Sequence, residues 1–440
     1  MPFRFELLVE TRRVVALGVL LAVIGGGLPA IVSAQDRAGA VQQPIASAIP
    51  SPEPEGFLRE PDFITRAINF MPRSLRGTVG EEGRTKNGFY PEFSNMRTGA
   101  GWISAGPGYR RWLFNDRAYV DASAAVSWRQ YRMAQARFEL PRLARSRLIL
   151  GSQARWQDLT QVTFFGEGAE AAEANRAEYR LQSTNVVGYA TVRPRQWLSV
   201  GGQFGWLDRP SIQSPTGSFQ RGNPDAREVF ATNIVYSLPE QPAFLHGEAS
   251  IAADTRDYRS HPSRGGLYRA AWARYSDRDT GVFTFHRYEV EGAHFVPAAA
   301  SRIVFAVHGW LVTSDTAEGD AVPFYLQPSF GGNNTVRAYS DFRFHDRNLL
   351  TLNAECRLAL FTHLDVALFA DAGNVAPRVS QLNLDKRANG IGLRMHTRQS
   401  TFARFDVAYG DEGWRFLFRT SDPLHLARLS RRTAAVPFMP

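Results

Sequence analysis

The stretch LLTLNAECRLAL, Leu349 to Leu360, decides the fold. Leu350, Leu352, Ala354, Cys356, Leu358 and Leu360 fall on one side of a period-two pattern. Thr351, Asn353, Glu355 and Arg357 fall on the other. Successive side chains of a strand point to opposite faces, so this is a strand with one greasy and one charged face. The same reading holds for LDVALFADAG (364–373), with Leu364, Val366, Leu368 and Ala370 against Asp365, Phe369, Asp371 and Gly373. YVDASAAVSW (119–128) sets Val120, Ala122, Ala124, Val126 and Trp128 against Tyr119, Asp121, Ser123 and Ser127. WLSVGGQFGW (197–206) puts Leu198, Val200, Phe204 and Trp206 on one side.

Two architectures use such strands. A soluble sandwich buries the apolar face, whereas a membrane barrel turns it to lipid and keeps the polar face inside. The polar face here carries Arg, Asp, Glu and Asn repeatedly. Aromatic residues gather near strand ends (Trp112, Phe114, Phe164, Phe165, Trp197, Phe295, Trp414), as interfacial girdles do. Tight and long connections alternate, and closure would remove the sheet edges without any disulfide. The expected fold is therefore all-β: a 16-stranded antiparallel transmembrane β-barrel over residues 86–420. The strands are expected near 86–95, 98–114, 117–128, 131–142, 146–164, 177–193, 197–209, 244–258, 264–276, 281–296, 301–314, 347–361, 363–374, 387–397, 401–410 and 413–420. The long connections are 210–243 and 315–346, and 227–238 reads as either loop or an extra strand.

The ends of the chain read differently. Arg12 and Arg13 precede an apolar run, Val14 to Leu28, and Val32 and Ala34 supply small residues for a cut. Residues 1–34 are expected to be a signal peptide, the run being short for a membrane helix. Residues 35–85 read as a periplasmic linker rich in Ala, Gln, Pro and Ser, with one short amphipathic helix over 61–75. Residues 421–440 form a C-terminal tail without an assigned role. The formal charge is +9; three Arg and two Glu in residues 1–34 leave +8 spread along the rest. No basic block points to nucleic acid. A lone Cys356 excludes an internal disulfide framework.

The connection 315–346 is too long to be a plain turn. Its segment PSFGGNNTVRAYSDFRFHDRN (328–348) carries Val336, Tyr339, Phe342 and Phe344, which a solvated loop does not need. A guanidinium drawn inside with them must be paired. By parity, Glu355 and Asp371 lie on the polar faces of the next two strands. A bidentate contact from Arg337 would hold the loop inside the barrel.

These residues carry a resemblance. FGGNNTVRAYSDFRFHDRNLLTLNAECRLAL followed by DVALFADAGNV resembles the end of the BamA/TamA-type outer-membrane protein superfamily, the bacterial surface antigen barrels. That family's Val-Arg-Gly-Phe/Tyr loop motif matches Val336, Arg337, Ala338 and Tyr339, with Ala338 in place of the glycine. Its Phe-x-Asp-x-Gly strand motif matches Phe369, Asp371 and Gly373. Asn353, Ala354, Glu355 and Arg357 match a further run, with Cys356 replacing an aromatic. DTRDYRSHPSRGGLYRA is similar to the family's periplasmic turn motif, at Asp254, Arg256, Asp257, Pro262, Gly265 and Gly266. The resemblance is strong over 250–420 and fainter over 86–250.

The resemblance implies an outer-membrane barrel with a lateral seam between first and last strands, which assists insertion or translocation of a protein or lipid partner. Its partners would be outer-membrane lipid and an unfolded outer-membrane or secreted protein client. The family usually carries POTRA domains ahead of the barrel. Residues 35–85 are too few and too rich in proline for a good copy, so the expectation is a POTRA-less member served by a separate periplasmic partner. Pro91 inside the first strand suits an edge, though it equally suits a strand that starts later.

Enzyme signatures are missing from the sequence: it has no Gly-x-Ser-x-Gly, no phosphate loop and no metal-spaced His or Cys cluster. His261, His286, His294, His308, His345 and His363 are scattered over different elements. No catalysis, cofactor or metal is expected. The alternative to an assembly role is a passive or gated pore for small solutes, since a barrel of this size can enclose water.

Overall fold

The computed structural model describes residues 56–62, 64–66, 87–92, 104–217, 222–230, 241–259, 261–332, 335–397 and 401–419. The signal peptide, most of the linker and the tail lie outside the described residues. Of the helix expected over 61–75, residues 62 and 64–66 are helical and the remainder from 67 lies outside the described residues.

Sixteen strands form one antiparallel sheet. They are β1 (Gly88–Glu92), β2 (Ser104–Leu113), β3 (Ala118–Ser127), β4 (Arg132–Leu143), β5 (Leu148–Phe164), β6 (Ala177–Arg195), β7 (Leu198–Gln213), β8 (Phe244–Asp254), β9 (Gly265–Asp277), β10 (Phe285–Ala298) and β11 (Ile303–Thr316), then β14 (Asn348–Phe361), β15 (Leu364–Ala376), β16 (Lys386–His396), β17 (Thr401–Gly410) and β18 (Gly413–Arg419). Every strand pairs with its neighbours in chain order, and β1 and β18 are the two edges, joined by no ladder among the described residues. Two short strands, β12 (Ser329–Phe330) and β13 (Phe344–His345), pair with each other inside the long connection. The segment that read as loop or extra strand is not a strand where it is described. Asp225 accepts from the Arg227 amide at 2.9 Å and caps a single helical turn, Ala226–Val229. Residues 231–240 lie outside the described part.

The sheet is inside-out. Val120, Val126, Leu150, Val186, Val200, Phe204, Ile251, Phe305, Val307, Leu368, Ile391 and Phe405 are exposed. On the other face Asp121, Glu139, Asn185, Glu291, His308, Asn353, Glu355, Asp371, Arg394 and Asp406 are buried. Water-facing exposure of that many aliphatic strand residues would be unfavourable, and lipid removes the penalty. Of the aromatics expected in girdles, Phe114, Trp197 and Trp414 are exposed. Phe164, Phe165 and Phe295 are buried instead. Phe164 packs edge-on against Tyr179 and also against Phe324. Its position at a strand end said nothing about which face it takes.

One rim has tight turns. Three of them run through consecutive left-handed residues: Phe114, Asn115 and Asp116; Ala144, Arg145 and Ser146; Ala299, Ala300 and Ser301. The other rim has the long connections. Outer-membrane barrels keep short turns of this kind on their periplasmic side. Residues 56–60 dock on that rim. The amides of Phe57 and Leu58 donate to the carbonyls of Ala359 and Leu360 at 2.8 and 2.9 Å, and Glu60 accepts from the His363 amide at 2.9 Å. A Cβ on Gly56 would come within 2.5 Å of the Phe361 backbone, so this approach requires glycine there.

Two large side-chain clusters fill the interior, and two smaller ones gather around Phe295 and around Tyr189. Near the long-loop rim, Tyr131, Phe164, Tyr179, Tyr275, Phe285 and Phe324 pack together. Deeper, Phe330, Val336, Ala338, Tyr339 and Phe344 of the long connection pack on Trp310, Leu349, Phe369 and Val375 of the wall. The connection 317–347 is therefore folded inward.

Candidate functional site

The infolded connection is anchored to the wall by Arg337. Arg337 donates through Nε and Nη2 to the two oxygens of Asp371, both at 2.8 Å, and its backbone amide reaches Asp371 Oδ2 at 3.2 Å. Nη1 donates to Glu355 Oε2 at 3.1 Å. The guanidinium carbon lies 3.4 Å from the centroid of the Phe369 ring, so the planar cation is stacked as well as paired. Burial alone would push the Arg337 pKa down. The Asp371 and Glu355 carboxylates outweigh it and hold the group protonated, with its pKa raised.

Period two explains why these groups converge. Glu355 on β14 lies opposite Phe369 on β15, and Asn353 lies opposite Asp371, so all four project from one face over adjacent rungs. Asn353 Nδ2 donates to Asp371 Oδ1 at 2.9 Å and to the Thr335 carbonyl at 2.5 Å, tying the loop backbone to the same carboxylate. Gly373 is required by packing: a Cβ there would lie 2.5 Å from the Phe330 ring. Gly390 of β16 does the same for Phe369, whose ring would be 2.3 Å away. Val336, Ala338 and Tyr339 are all buried. Ala338 is not among the positive-φ residues, so the alanine adopts ordinary backbone where the motif has glycine. Room for its methyl comes from Gly410, where a Cβ would lie 2.7 Å from it.

Further charges complete the cluster. Arg394 of β16 donates to Glu355 Oε2 at 2.8 Å and to Asp406 Oδ1 at 2.6 Å, and Arg404 lies 3.5 Å from Asp406. Three guanidinium groups thus meet three carboxylates, which suits a water-poor interior. On the other flank His308 links Asn353 and Glu291, each at 2.8 Å.

The loop also grips the last hairpin. Tyr339 donates to Asp411 at 2.7 Å and Arg343 to Glu412 at 2.5 Å, in the turn between β17 and β18. Arg415 of β18 donates to Ser340 Oγ at 2.9 Å, and Arg419 lies 3.6 Å from Asp341.

With the sixteen-stranded sheet and the loop in its interior described, sequence comparison decides the family. The model of the Omp85 superfamily domain matches residues 118–421. The chain belongs to the Omp85 superfamily. Barrels of this superfamily are outer-membrane proteins. No curated protein matches the sequence significantly. Among solved structures, BamA from Haemophilus ducreyi lacking POTRA domains 1-3 superposes with a TM-score of 0.55 at 13% identity, over 75% of this chain and 68% of that one. CdiB from Acinetobacter baumannii gives 0.45 at 12% identity over 72% and 55%, and CdiB from Escherichia coli 0.43 at 13% over 74% and 59%. The chain thus spans little more than half the length of the CdiB structures. The BamA likeness is one of fold.

The second stretch singled out in the sequence, residues 254–266, forms the β8–β9 turn on the tight-turn rim. Arg256 grips Asp254 through two contacts of 2.9 Å. Asp257 accepts from the amides of Tyr258 and Ser263 at 2.9 Å and of Arg264 at 3.2 Å. Gly265 has φ 83° and presses against the Thr255 carbonyl, where a Cβ would lie at 2.1 Å. Arg357 of β14 donates to the Pro262 carbonyl. The turn motif and the loop motif therefore sit at different levels of the barrel and do not share a site.

Sequence reading missed several members. Arg394, Arg404 and Asp406 follow the same inward parity, but nothing in the chain names their partners. No spacing pattern in the sequence brings His261, Asp365 and His396 together; the fold does, with their ligand atoms all within 4.8 Å of one another.

Proposed function

We propose that this barrel resides in the outer membrane after export by its signal peptide, and assists insertion or translocation of a protein or lipid partner there. The site of exchange is the seam between β1 and β18, and the Arg337-anchored loop blocks the lumen meanwhile. The observation that carries this reading is the grip of one loop on both places: the same segment that stacks Arg337 between Asp371 and Phe369 also binds Asp411, Glu412 and Arg415 at the last hairpin. A guanidinium clamp on the wall and a contact with the edge strand make the plug and the seam one mechanical unit. Membership of the Omp85 superfamily lends the reading its class. The client is an unfolded outer-membrane or secreted protein, delivered by a separate periplasmic partner.

The test is a disulfide engineered between β1 and β18 in the living cell. The seam reading expects defective envelope composition that reductant restores. Normal growth and envelope with the seam fully oxidised would exclude it.

A gated pore for small solutes is the second reading, favoured by a charged wall in the first half of the sheet, where Arg110 meets Asp121 at 2.5 Å and Arg180 meets Asp158 at 2.8 Å. Planar-bilayer recording separates the two. Small, erratic conductance that grows in Arg337→Ala fits a plugged barrel; a steady, large conductance in the unaltered protein fits a pore.

A further inference from the structure

We propose that His261, Asp365 and His396 form a zinc site on the tight-turn rim, stapling the β8–β9 turn to the starts and ends of β15 and β16. The three residues come from separate elements: the turn 255–264, the second residue of β15 and the last residue of β16. Their side chains are 12%, 7% and 10% exposed, so the group is shielded by protein yet reachable from the rim.

Hydrogen-bond chemistry prepares His396 as a ligand. Its Nδ1 lies 3.2 Å from the Thr397 carbonyl, which can only accept, so Nδ1 carries the proton. In the neutral ring the lone pair is then on Nε2, 3.0 Å from Asp365 Oδ1. Two lone-pair-bearing atoms at that spacing need a cation between them, either a second proton or a metal ion. His261 presents its Nε2 to the other oxygen, Asp365 Oδ2, at 3.6 Å, too far for a hydrogen bond. The two imidazoles are stacked, with centroids 3.8 Å apart and planes 11° apart, so both aim at one carboxylate. A single divalent ion between the rings and the carboxylate would serve both contacts.

The donor set fits the ion. Two imidazoles and a carboxylate with no thiolate suit zinc, which takes three protein ligands and leaves a fourth position for water. Tetrahedral zinc holds its ligand atoms about 3.4 Å apart; the widest pair here, up to 4.8 Å apart, closes by side-chain rotation at a turn and two strand ends. The far nitrogens have partners of the kind metal-bound histidines use: the Thr397 carbonyl for His396, and Thr401 Oγ1 at 3.0 Å for His261. One charge opposes binding. Arg357 Nη1 lies 3.3 Å from His261 Nδ1 and can only donate, so Nδ1 accepts and the ring's proton sits on Nε2; zinc binding requires that proton to leave, and the cation beside the ring lowers affinity.

The experiment uses tag-free, full-length folded protein in detergent, stripped with chelator, then titrated with Zn²⁺ by calorimetry and with Co²⁺ by visible absorption. The expected result is one saturable equivalent, a tetrahedral Co²⁺ band that Zn²⁺ displaces, and a thermal midpoint that rises with Zn²⁺. Asp365→Asn and His396→Gln should each weaken binding about tenfold or more, in protein shown to be folded by its heat-modifiable gel mobility. His261→Ala serves as the third variant because it lies in a turn and leaves the wall intact. Lack of saturable binding below millimolar Zn²⁺, or binding unchanged in folded variants, would overturn the site and leave a histidine–aspartate pair sharing a proton.

Discussion

The strand pair β14–β15 and the strand pair β1–β2 belong to one sheet but are built on opposite terms. β14 and β15 are laddered from Asn348–Ala376 down to Phe361–Leu364. β1 meets β2 over five residues only, and Pro91 stands opposite Pro107. Proline has no amide proton, so this rung has no donor on either side. β14 and β15 are flanked by partners on both sides, whereas β1 has one. The ladder is long where the loop is held and short at the β1 edge. A barrel working as proposed, with a held plug and an openable joint, needs that inequality.

The largest expected effect breaks the strong side. Arg337→Ala leaves Asp371 buried without its cation and leaves Glu355 with Arg394 alone, which should cost about 3–5 kcal/mol at the site. The temperature of the heat-modifiable gel shift should fall, and a protease should cut within 335–347. A variant as stable as the parent, with the loop still protected, would show that the aromatic packing of Tyr339, Phe330 and Phe344 holds the loop by itself. A smaller effect strengthens the weak side. Pro91→Val supplies an amide donor and a residue that favours strands, with a gain on the order of 1 kcal/mol. Amide exchange in 88–92 should slow. If it stays as fast, chain-edge position and not proline sets the looseness of β1.

The smallest effect is a pH dependence in the loop. Burial pushes the Asp346 carboxyl up to about 6. The folded state therefore holds this proton more tightly than the unfolded chain. The stabilisation is full below the ordinary carboxylate range, near pH 4, and is lost as pH rises through 6. Protease protection of 335–347 should be higher at pH 5 than at pH 7.5, and Asp346→Asn should flatten the difference. A profile that rises with pH would mean that other carboxylates of the cluster dominate the linkage.

Much of the wall was legible because lipid and lumen impose opposite chemistry on alternate residues. That parity assigns Leu368 outward and Glu355 and Asp371 inward, and it needs no knowledge of partners. What alternation cannot supply is direction for residues welcome on both sides. Phe164 and Phe295 satisfy an interface or an interior equally; Phe164 packs inward on Phe324 of the loop, and Phe295 lies under the Arg357 guanidinium, whose carbon is 5.5 Å from the ring centroid. Nor does parity say which inward charge meets which. Arg394 could have reached any of several carboxylates; the pairing of β14 to β17 chose Glu355 and Asp406. The His261, Asp365 and His396 cluster joins positions far apart in the chain, so no local spacing could announce it. Ala338 shows the reverse case: a glycine expected from the motif proved dispensable because a different glycine, Gly410, gives way across the gap.

The docking of residues 56–60 has a mechanical side. Phe57 and Leu58 are bonded side by side to β14, and Glu60 is bonded to the turn that follows it. Bonds placed in parallel along a strand share a load applied lengthwise, as a lap joint does. Traction on the chain ahead of residue 56 is thus delivered to β14, the strand that bears Glu355, rather than to the frail first strand nearby in sequence. The leash is tied to the beam and not to the door.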